Sequence, residues 1–201
     1  MSKIPQRFAL LLFALIICVL PSCKHMDYSK QIHDLDSLHT ALNTVSQRYA
    51  MLNVVDLGAK VDSVNRHLDY VQKNYVGYQR EDMALVLSQY RRVKKLIPDI
   101  SSANERIKQE INLTLEQLNS LSQALKEGAT HDSAGNKMTE EYLDKAFASE
   151  SKKAGDLVQQ LDELLDRAPM ADSIYNAHYA RVRFWVDSIP TLSASNPAVP
   201  R

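Results

Sequence analysis

Apolar residues recur three and four positions apart along most of the chain, and this spacing predicts α-helices. A first stripe begins at Leu35, and a second follows it after a step of five residues. The two stripes comprise Leu35, Leu38, Leu42, Val45, Tyr49 and Leu52, then Leu57, Val61, Val64, Leu68, Val71 and Tyr75. Because their mean spacing is about 3.6 residues, the apolar face stays on one side of a nearly straight helix. We therefore predict a helix A over residues 29–75.

Two further stripes predict a helix B, from Glu81 to the glycine at position 128, and a helix C, from Thr139 to Ile189. The inward positions of helix B include Met83, Leu87, Tyr90, Val93, Ile107, Ile111, Leu118 and Leu125. Those of helix C include Leu143, Phe147, Leu157, Leu161, Leu164, Val182, Trp185 and Ile189. Since no stretch alternates with the period of two that a half-buried strand needs, we predict an all-α protein.

Three helix-breaking residues suggest how the helices are arranged. If helices A, B and C lie side by side and antiparallel, then Gly58, Pro98 and Pro169 fall at one height. Proline lacks an N–H and clashes with the preceding turn, so it disturbs a helix. We predict an elongated antiparallel three-helix, coiled-coil-like bundle with breaks near these residues. The alternative is five shorter helices folded into a compact bundle.

The N-terminus carries the pattern of an export signal. After Lys3 and Arg7, residues 8–20 are all apolar, a run shorter than the roughly 20 residues that cross a bilayer. It ends in Leu20-Pro21-Ser22-Cys23, which resembles the lipobox of bacterial lipoproteins. The resemblance implies a signal peptide over 1–22 and acyl chains of the palmitate type on Cys23. The alternative is an ordinary secretory signal with a chance cysteine.

The lipobox resemblance also implies an address and a domain plan. Lys24 follows the cysteine, where aspartate commonly marks inner-membrane retention, so we expect lipid anchoring in the outer membrane, facing the periplasm. Residues 23–28 would be a lipidated tether, 29–189 the helical domain and 190–201 a disordered tail. Cys18 would leave with the signal peptide, and so no thiol would remain for a disulfide or a metal.

Charge changes the picture of the surface more than of the fold. The 201 residues contain 24 basic and 24 acidic side chains, a balance that argues against a nucleic-acid binder. Residues 59–97 and 170–189, here called the distal half, hold 10 basic and 6 acidic residues. Residues 24–58 and 99–169, the proximal half, hold 11 basic and 18 acidic residues.

The distal half also combines cations with aromatic side chains, as binding hot spots do. We predict that it contacts a protein partner of the cell envelope through Arg91, Arg92, Lys94, Lys95, Tyr179, Arg181, Arg183 and Trp185. We name the first four of these residues the basic run. The alternative is that the aromatic residues serve only the packing of the bundle.

Asp-Ser followed by a small or aliphatic residue occurs five times. These triplets resemble the O-glycosylation sites of secreted Bacteroidota proteins, which implies glycan attachment at Ser133, Ser37, Ser63 and Ser188. Asp172-Ser173 fits helix capping instead. The alternative for the whole set is capping and helix-surface chemistry.

Patterns that would indicate chemistry are sparse. The sequence has no Gly-rich phosphate loop, HExxH, GxSxG or CxxC motif. His33, Asp36 and His39 are spaced by three, but such spacing drifts around a helix, so we expect a solvated face and no metal site. Residues 113–117 match the LTxxQ pattern of Spy-type periplasmic chaperones, which occurs twice in that family and once here.

We therefore expect a non-enzymatic lipoprotein that acts as a structural adapter or accessory subunit of an envelope assembly. It would need no cofactor and would bind neither nucleic acid nor a small-molecule substrate. The alternative is a Spy-like chaperone that binds unfolded envelope proteins.

Overall fold

The computed structural model describes residues 27–75, 81–131, 135 and 137–195, with side chains described up to residue 189. Within these ranges every regular element except an isolated bridge between His131 and Lys137 is helical, which confirms the predicted all-α class. The helices are α1 (Ser29–Ala50), α2 (Val54–Asn74), α3 (Glu81–Leu96), α4 (Ile100–Glu127) and α5 (Glu140–Ser195).

The helices enclose two hydrophobic clusters. One is built from α1, α4 and the first part of α5, and the other from α2, α3 and the second part of α5. Leu52, Val54 and Leu164 pack against both clusters, so the two cores meet at the α1–α2 junction. Helix α5 has 56 residues and contributes to both cores.

Contacts between helices give their relative directions. Lys126 near the end of α4 pairs with Asp36 near the start of α1 at 3.0 Å. Tyr49 near the end of α1 donates to Asn104 near the start of α4 at 2.8 Å. Helices α1 and α4 therefore run antiparallel. Helices α3 and α5 do so as well, since Arg181 pairs with Asp82 and the Tyr90 ring stacks on Tyr175.

Gly58 does not break a helix. It lies inside α2 and is buried, and a Cβ atom there would stand 1.8 Å from the Ser101 hydroxyl oxygen. The glycine thus permits α2 to approach the start of α4 closely. The interruption falls before it, at residues 51–53, where the Asn53 side chain accepts a hydrogen bond from the Asp56 amide at 3.1 Å and starts α2.

Pro98 and Pro169 behave differently. Pro98 lies between α3 and α4, beside Asp99, which takes a left-handed conformation at φ 49°. Pro169, by contrast, lies within unbroken α5, and the predicted break there is wrong. Pro169 is exposed while Ala168 and Ala171 beside it are buried. On the solvent side of a helix, the carbonyl freed by a proline can bond to water, so the helix continues.

The predicted tail boundary also falls inside a helix. Helix α5 continues to Ser195, six residues past the end of the domain predicted at residue 189. Residues 196–201 lie outside the described ranges.

Candidate functional site: the distal surface

The basic run occupies the last two turns of α3. Arg91, Arg92 and Lys95 are exposed and Lys94 is half-buried. Arg92 donates to the Gln89 side chain at 2.8 Å. None of the four cations forms an ion pair with a residue that the structure describes. Cations at a helix C-terminus are favoured by the helix dipole, so the run is stable without acidic partners.

The cations of α5 are engaged instead. Arg181 pairs with Asp82 of α3 at 3.1 Å, and its guanidinium lies 5.3 Å from the centre of the Trp185 ring. Arg183 lies 3.8 Å from Asp187. These pairs neutralise the positive charges of Arg181 and Arg183, which were predicted to attract a partner. Each exposed pair contributes only about 1 kcal/mol or less to stability.

The predicted contact residues form two patches and not one cluster. The pairing of Arg181 with Asp82 places these two residues level with each other in the antiparallel pair α3 and α5. Arg91 lies nine residues farther along α3. Nine residues of helix correspond to about 14 Å. The basic run is therefore level with the middle of α5, and the Arg181–Trp185 patch lies nearer the start of α3.

The aromatic residues near the basic run face inward. Tyr90 has no exposed surface, so it cannot anchor a partner. Tyr179 is half-buried and stacks on Tyr175 with ring centres 5.0 Å apart. Among the described aromatic residues of this half, the exposed one is Phe184, at 67% accessible, and it was not among the residues predicted to make the contact.

His67 joins these rings into a polar aromatic cluster in the core. Its ring centre lies 6.1 Å from that of Tyr90 and 5.8 Å from that of Tyr179, and its Nδ1 atom lies 3.2 Å from the Tyr90 hydroxyl. We name His67, Tyr90, Tyr175 and Tyr179 the aromatic cluster. His67 was not among the predicted site residues, although it lies three residues after Val64 and four before Val71 and thus on the apolar face.

Burial sets the protonation states of this cluster. It lowers the pKa of His67, and the neighbouring cation of Arg66 acts in the same direction. Burial together with Tyr175 raises the pKa of Tyr90 above its usual range, while a hydrogen bond from Ser63 opposes the shift. Both groups are therefore neutral at pH 7. They pack and hydrogen-bond, and neither is poised to accept or release a proton.

Lys60 borders the cluster. Its ammonium group binds Asp56 one turn earlier and Asp172 of α5, and it lies 5.8 Å from the centre of the Tyr175 ring. Hydrogen bonds from Lys60 to Asp172 and Asp56 raise the pKa of its amine. This network fixes α2 against α5 just beyond the α1–α2 junction.

The predicted glycan acceptors differ in accessibility. Ser37 is exposed on α1, and Ser188 is half-buried with its hydroxyl donating to the Phe184 carbonyl at 2.6 Å. Ser63 is buried in the core at 8% exposure, so the folded chain cannot present it, and this predicted acceptor is corrected. Ser133 and the lipidation residue Cys23 lie outside the described residues.

Asp36 is held by the neighbouring helix. It accepts hydrogen bonds from Lys126 at 3.0 Å and from Ser122 at 2.8 Å, and these bonds lower the pKa of its carboxyl.

Among the described residues, no three His, Cys, Asp or Glu side chains are placed to share a metal ion. No helix in the described ranges is long and apolar enough to cross a bilayer.

Comparison of the chain with protein-family models, with curated proteins and with solved structures finds no match. Function is therefore inferred from the residues and their geometry alone.

Proposed function

We propose that this chain is an outer-membrane-anchored, periplasm-facing lipoprotein that serves as a structural adapter or accessory subunit of an envelope assembly, without catalysing a reaction. The observation that carries the proposal is the basic run: four cations within five residues, without an acidic partner among the described residues. Unpaired surface cations attract an anionic partner over a long range. The lipobox at Cys23 supplies the location.

The proposed shape suits this role. In it, α1 with α2, α3 with α4, and α5 form three antiparallel arms of an elongated bundle, interrupted at residues 51–53 and 97–99. The arm lengths and the helix directions support this arrangement. Such a bundle would hold the basic run away from the lipid.

Charge reversal tests the contact surface. We expect Arg91→Glu/Arg92→Glu to fold normally, because exposed charges contribute little to stability, and to lose the main partner when affinity-purified from crosslinked native membranes. High salt should weaken the wild-type contact. The control Arg106→Glu/Lys152→Glu changes the net charge equally at exposed residues of the proximal half. Equal partner recovery by the two variants would exclude the basic run.

Substitution of the lipidation residue tests the anchor. Cys23→Ala should remove acyl labelling and leave the chain uncleaved or released from the outer membrane, because two or more acyl chains are needed for stable anchoring. Normal processing and unchanged membrane fractionation would refute the lipobox interpretation.

Glycan attachment to Ser37, Ser133 or Ser188 remains part of the proposal, and mass spectrometry of the native protein tests it.

A chaperone is the second candidate. The LTxxQ residue Leu113 is 59% exposed on α4, and Met51 and Val55 at the α1–α2 junction are 80% and 83% exposed. Exposed apolar side chains can bind unfolded chains. The two candidates differ in stoichiometry: a chaperone would bind many unfolded proteins and suppress their aggregation, whereas an adapter would co-purify with one partner at a fixed ratio.

A further inference from the structure

An open groove lies at the proximal end of the molecule, between the second half of α4, the loop after it and the first part of α5. Its volume is about 580 Å³, enough for several side chains of a bound segment. Its lining includes Glu116, Leu121, Glu127, Met138, Tyr142 and Glu150. The groove lies in the acidic half, away from the basic run.

Among the described residues that line the groove, every Asp, Glu, Lys or Arg side chain is acidic. These side chains are Glu116, Glu127 and Glu150. Glu127 accepts a hydrogen bond from Gln123 at 2.8 Å, and one oxygen of Glu150 accepts from Lys153 at 2.9 Å. The other Glu150 oxygen, Oε2, is buried and has no hydrogen-bond partner in the described part of the chain. A buried acceptor without a donor costs free energy that a donor from a ligand would recover.

The groove also offers apolar surface. Leu121 and Met138 pack their inner sides against the proximal core and line the groove on their outer sides. Tyr142 is 42% exposed. Acidic groups beside a partly exposed apolar strip complement a segment that carries cations along one edge of an apolar face.

We propose that this groove binds a basic amphipathic helical segment of another protein of the envelope. Its Lys or Arg side chains pair with Glu116, Glu127 and Glu150, and its apolar side chains contact Leu121, Met138 and Tyr142. The basic run of a second copy is not the ligand, because the apolar face of α3 is buried in its own core through Val86, Val93 and their neighbours. The inference adds a second site, of opposite charge, and rests on the proposed function for the envelope location of the partner.

A designed peptide tests the groove directly. The probe is a fluorescent Lys/Leu amphipathic helix of about 18 residues, or five turns, added to the full chain in zwitterionic nanodiscs, with empty nanodiscs as background. A Glu/Leu peptide of the same pattern tests the charge, and a Lys/Ser peptide tests the apolar face. We expect anisotropy to report binding of the Lys/Leu peptide only. Equal binding of the Lys/Ser peptide would overturn the proposal, since it would show diffuse charge attraction.

Matched variants locate the site. Glu116→Gln/Glu127→Gln/Glu150→Gln should weaken peptide binding by about tenfold, since three partly exposed pairs contribute roughly 0.5 kcal/mol each. Glu110→Gln/Asp156→Asn/Asp166→Asn removes the same charge at exposed positions outside the groove and should bind normally. If the first variant unfolds, Glu116→Gln/Glu127→Gln keeps Glu150 and still tests the groove. Equal affinity of lining and control variants would overturn the proposal.

The two proposed sites can fail separately. Arg91→Glu/Arg92→Glu should keep full peptide affinity, because the basic run does not line the groove. Loss of peptide binding in that variant would place the peptide elsewhere and refute the groove. Loss of the envelope partner in that variant, with peptide binding intact, would support both proposals.

Discussion

His67 shows how one polar ring can be accommodated in an otherwise apolar core. Its ring stacks on Tyr90 and lies tilted against Tyr179, and its Nδ1 atom lies within hydrogen-bond distance of the Tyr90 hydroxyl. Charging the ring would place a cation in the aromatic cluster, near Arg66 and Arg183 and with Asp187 as its counter-charge. The lowered pKa of His67 is the signature of that cost.

The pKa of His67 predicts how stability responds to pH. Because the folded pKa is depressed, the unfolded chain binds more protons than the folded chain in the window below the unfolded value of about 6.5. Stability is therefore fully present above about pH 6.5 and falls as pH decreases through that window. The low pKa of Asp36 acts in the same sense, but below its unfolded value of about 3.9.

Urea unfolding at about pH 7.5 and pH 5.5 checks the effect. We expect the free energy of unfolding to fall between these values in the wild type and to fall less in His67→Gln. His178→Gln, at a half-buried position of α5 outside the aromatic cluster, serves as the matched control for the substitution itself. An unchanged pH dependence in His67→Gln would contradict the assignment.

Tyr90 carries both packing and hydrogen bonding. It is fully buried, so Tyr90→Ala should lower the free energy of unfolding by about 3–5 kcal/mol, the cost of truncating a buried aromatic side chain. Tyr90→Phe keeps the ring and loses the hydroxyl, and should cost only about 1 kcal/mol. Denaturant titration measures both changes in the free energy of unfolding, provided that the slope of free energy against denaturant concentration is the same in the variants and the wild type. A larger loss for the phenylalanine variant than for alanine would mean that packing is not the main contribution.

At the scale of the element, Pro169 is a helix breaker that does not break its helix. It removes one N–H from the middle of α5 and faces outward, while Ala168 and Ala171 pack inward. The packing of α5 against both hydrophobic clusters offsets the local cost of the proline. The helix therefore continues because of its tertiary contacts, against the preference of its own sequence.

Replacement of this proline should stabilise the protein. Pro169→Ala restores the N–H and removes the ring clash, and should raise the free energy of unfolding by about 1–3 kcal/mol after the entropy of the unfolded chain is subtracted. Pro98→Ala is the matched control, because Pro98 lies outside a helix beside Asp99 at φ 49°, and should change stability by less than about 0.5 kcal/mol. Thermal unfolding followed by circular dichroism compares the two. Destabilisation by Pro169→Ala would contradict the explanation.

The apolar stripes could be predicted from the sequence because helical periodicity is a local property. Leu35, Leu42, Val45 and Tyr49 are all buried, as their spacing predicts. The interruption at residues 51–53 was not predicted. A mean spacing of 3.6 residues fits one straight helix and also two helices joined by a turn, so the mean does not distinguish them. The useful signal was Asn53, a capping residue before the second stripe.

Contacts across helices could not be predicted in this way. The pairing of Arg181 with Asp82 depends on the relative register of α3 and α5, which no local pattern specifies. For the same reason the prediction grouped the basic run and Trp185 in one contact surface, whereas the structure separates them. The burial of Ser63 could have been predicted, since Ser63 adjoins Val64 of the apolar stripe. It was instead predicted to carry a glycan because it lies in an Asp-Ser triplet.

At the scale of the whole molecule, the two halves of the helical domain differ in charge. The proximal half is acidic and carries the groove, and the distal half is basic and carries the basic run of α3. Helix α5 connects the two halves with 56 residues. A chain whose two halves carry opposite charge suits the proposed adapter, which would hold two partners of opposite character.

The length of α5 leads to a prediction about shape. A helix of 56 residues is about 84 Å long at 1.5 Å per residue. A rod of that length has a radius of gyration of roughly 24 Å, whereas a compact domain of 178 residues would have about 16 Å. Small-angle X-ray scattering from a monomeric chain beginning at residue 24 should therefore give a value well above 16 Å and a maximum dimension near the helix length. A compact value would mean that α5 folds back on itself in solution. The groove and the basic run would then lie close together, and the two oppositely charged sites could not hold separate partners.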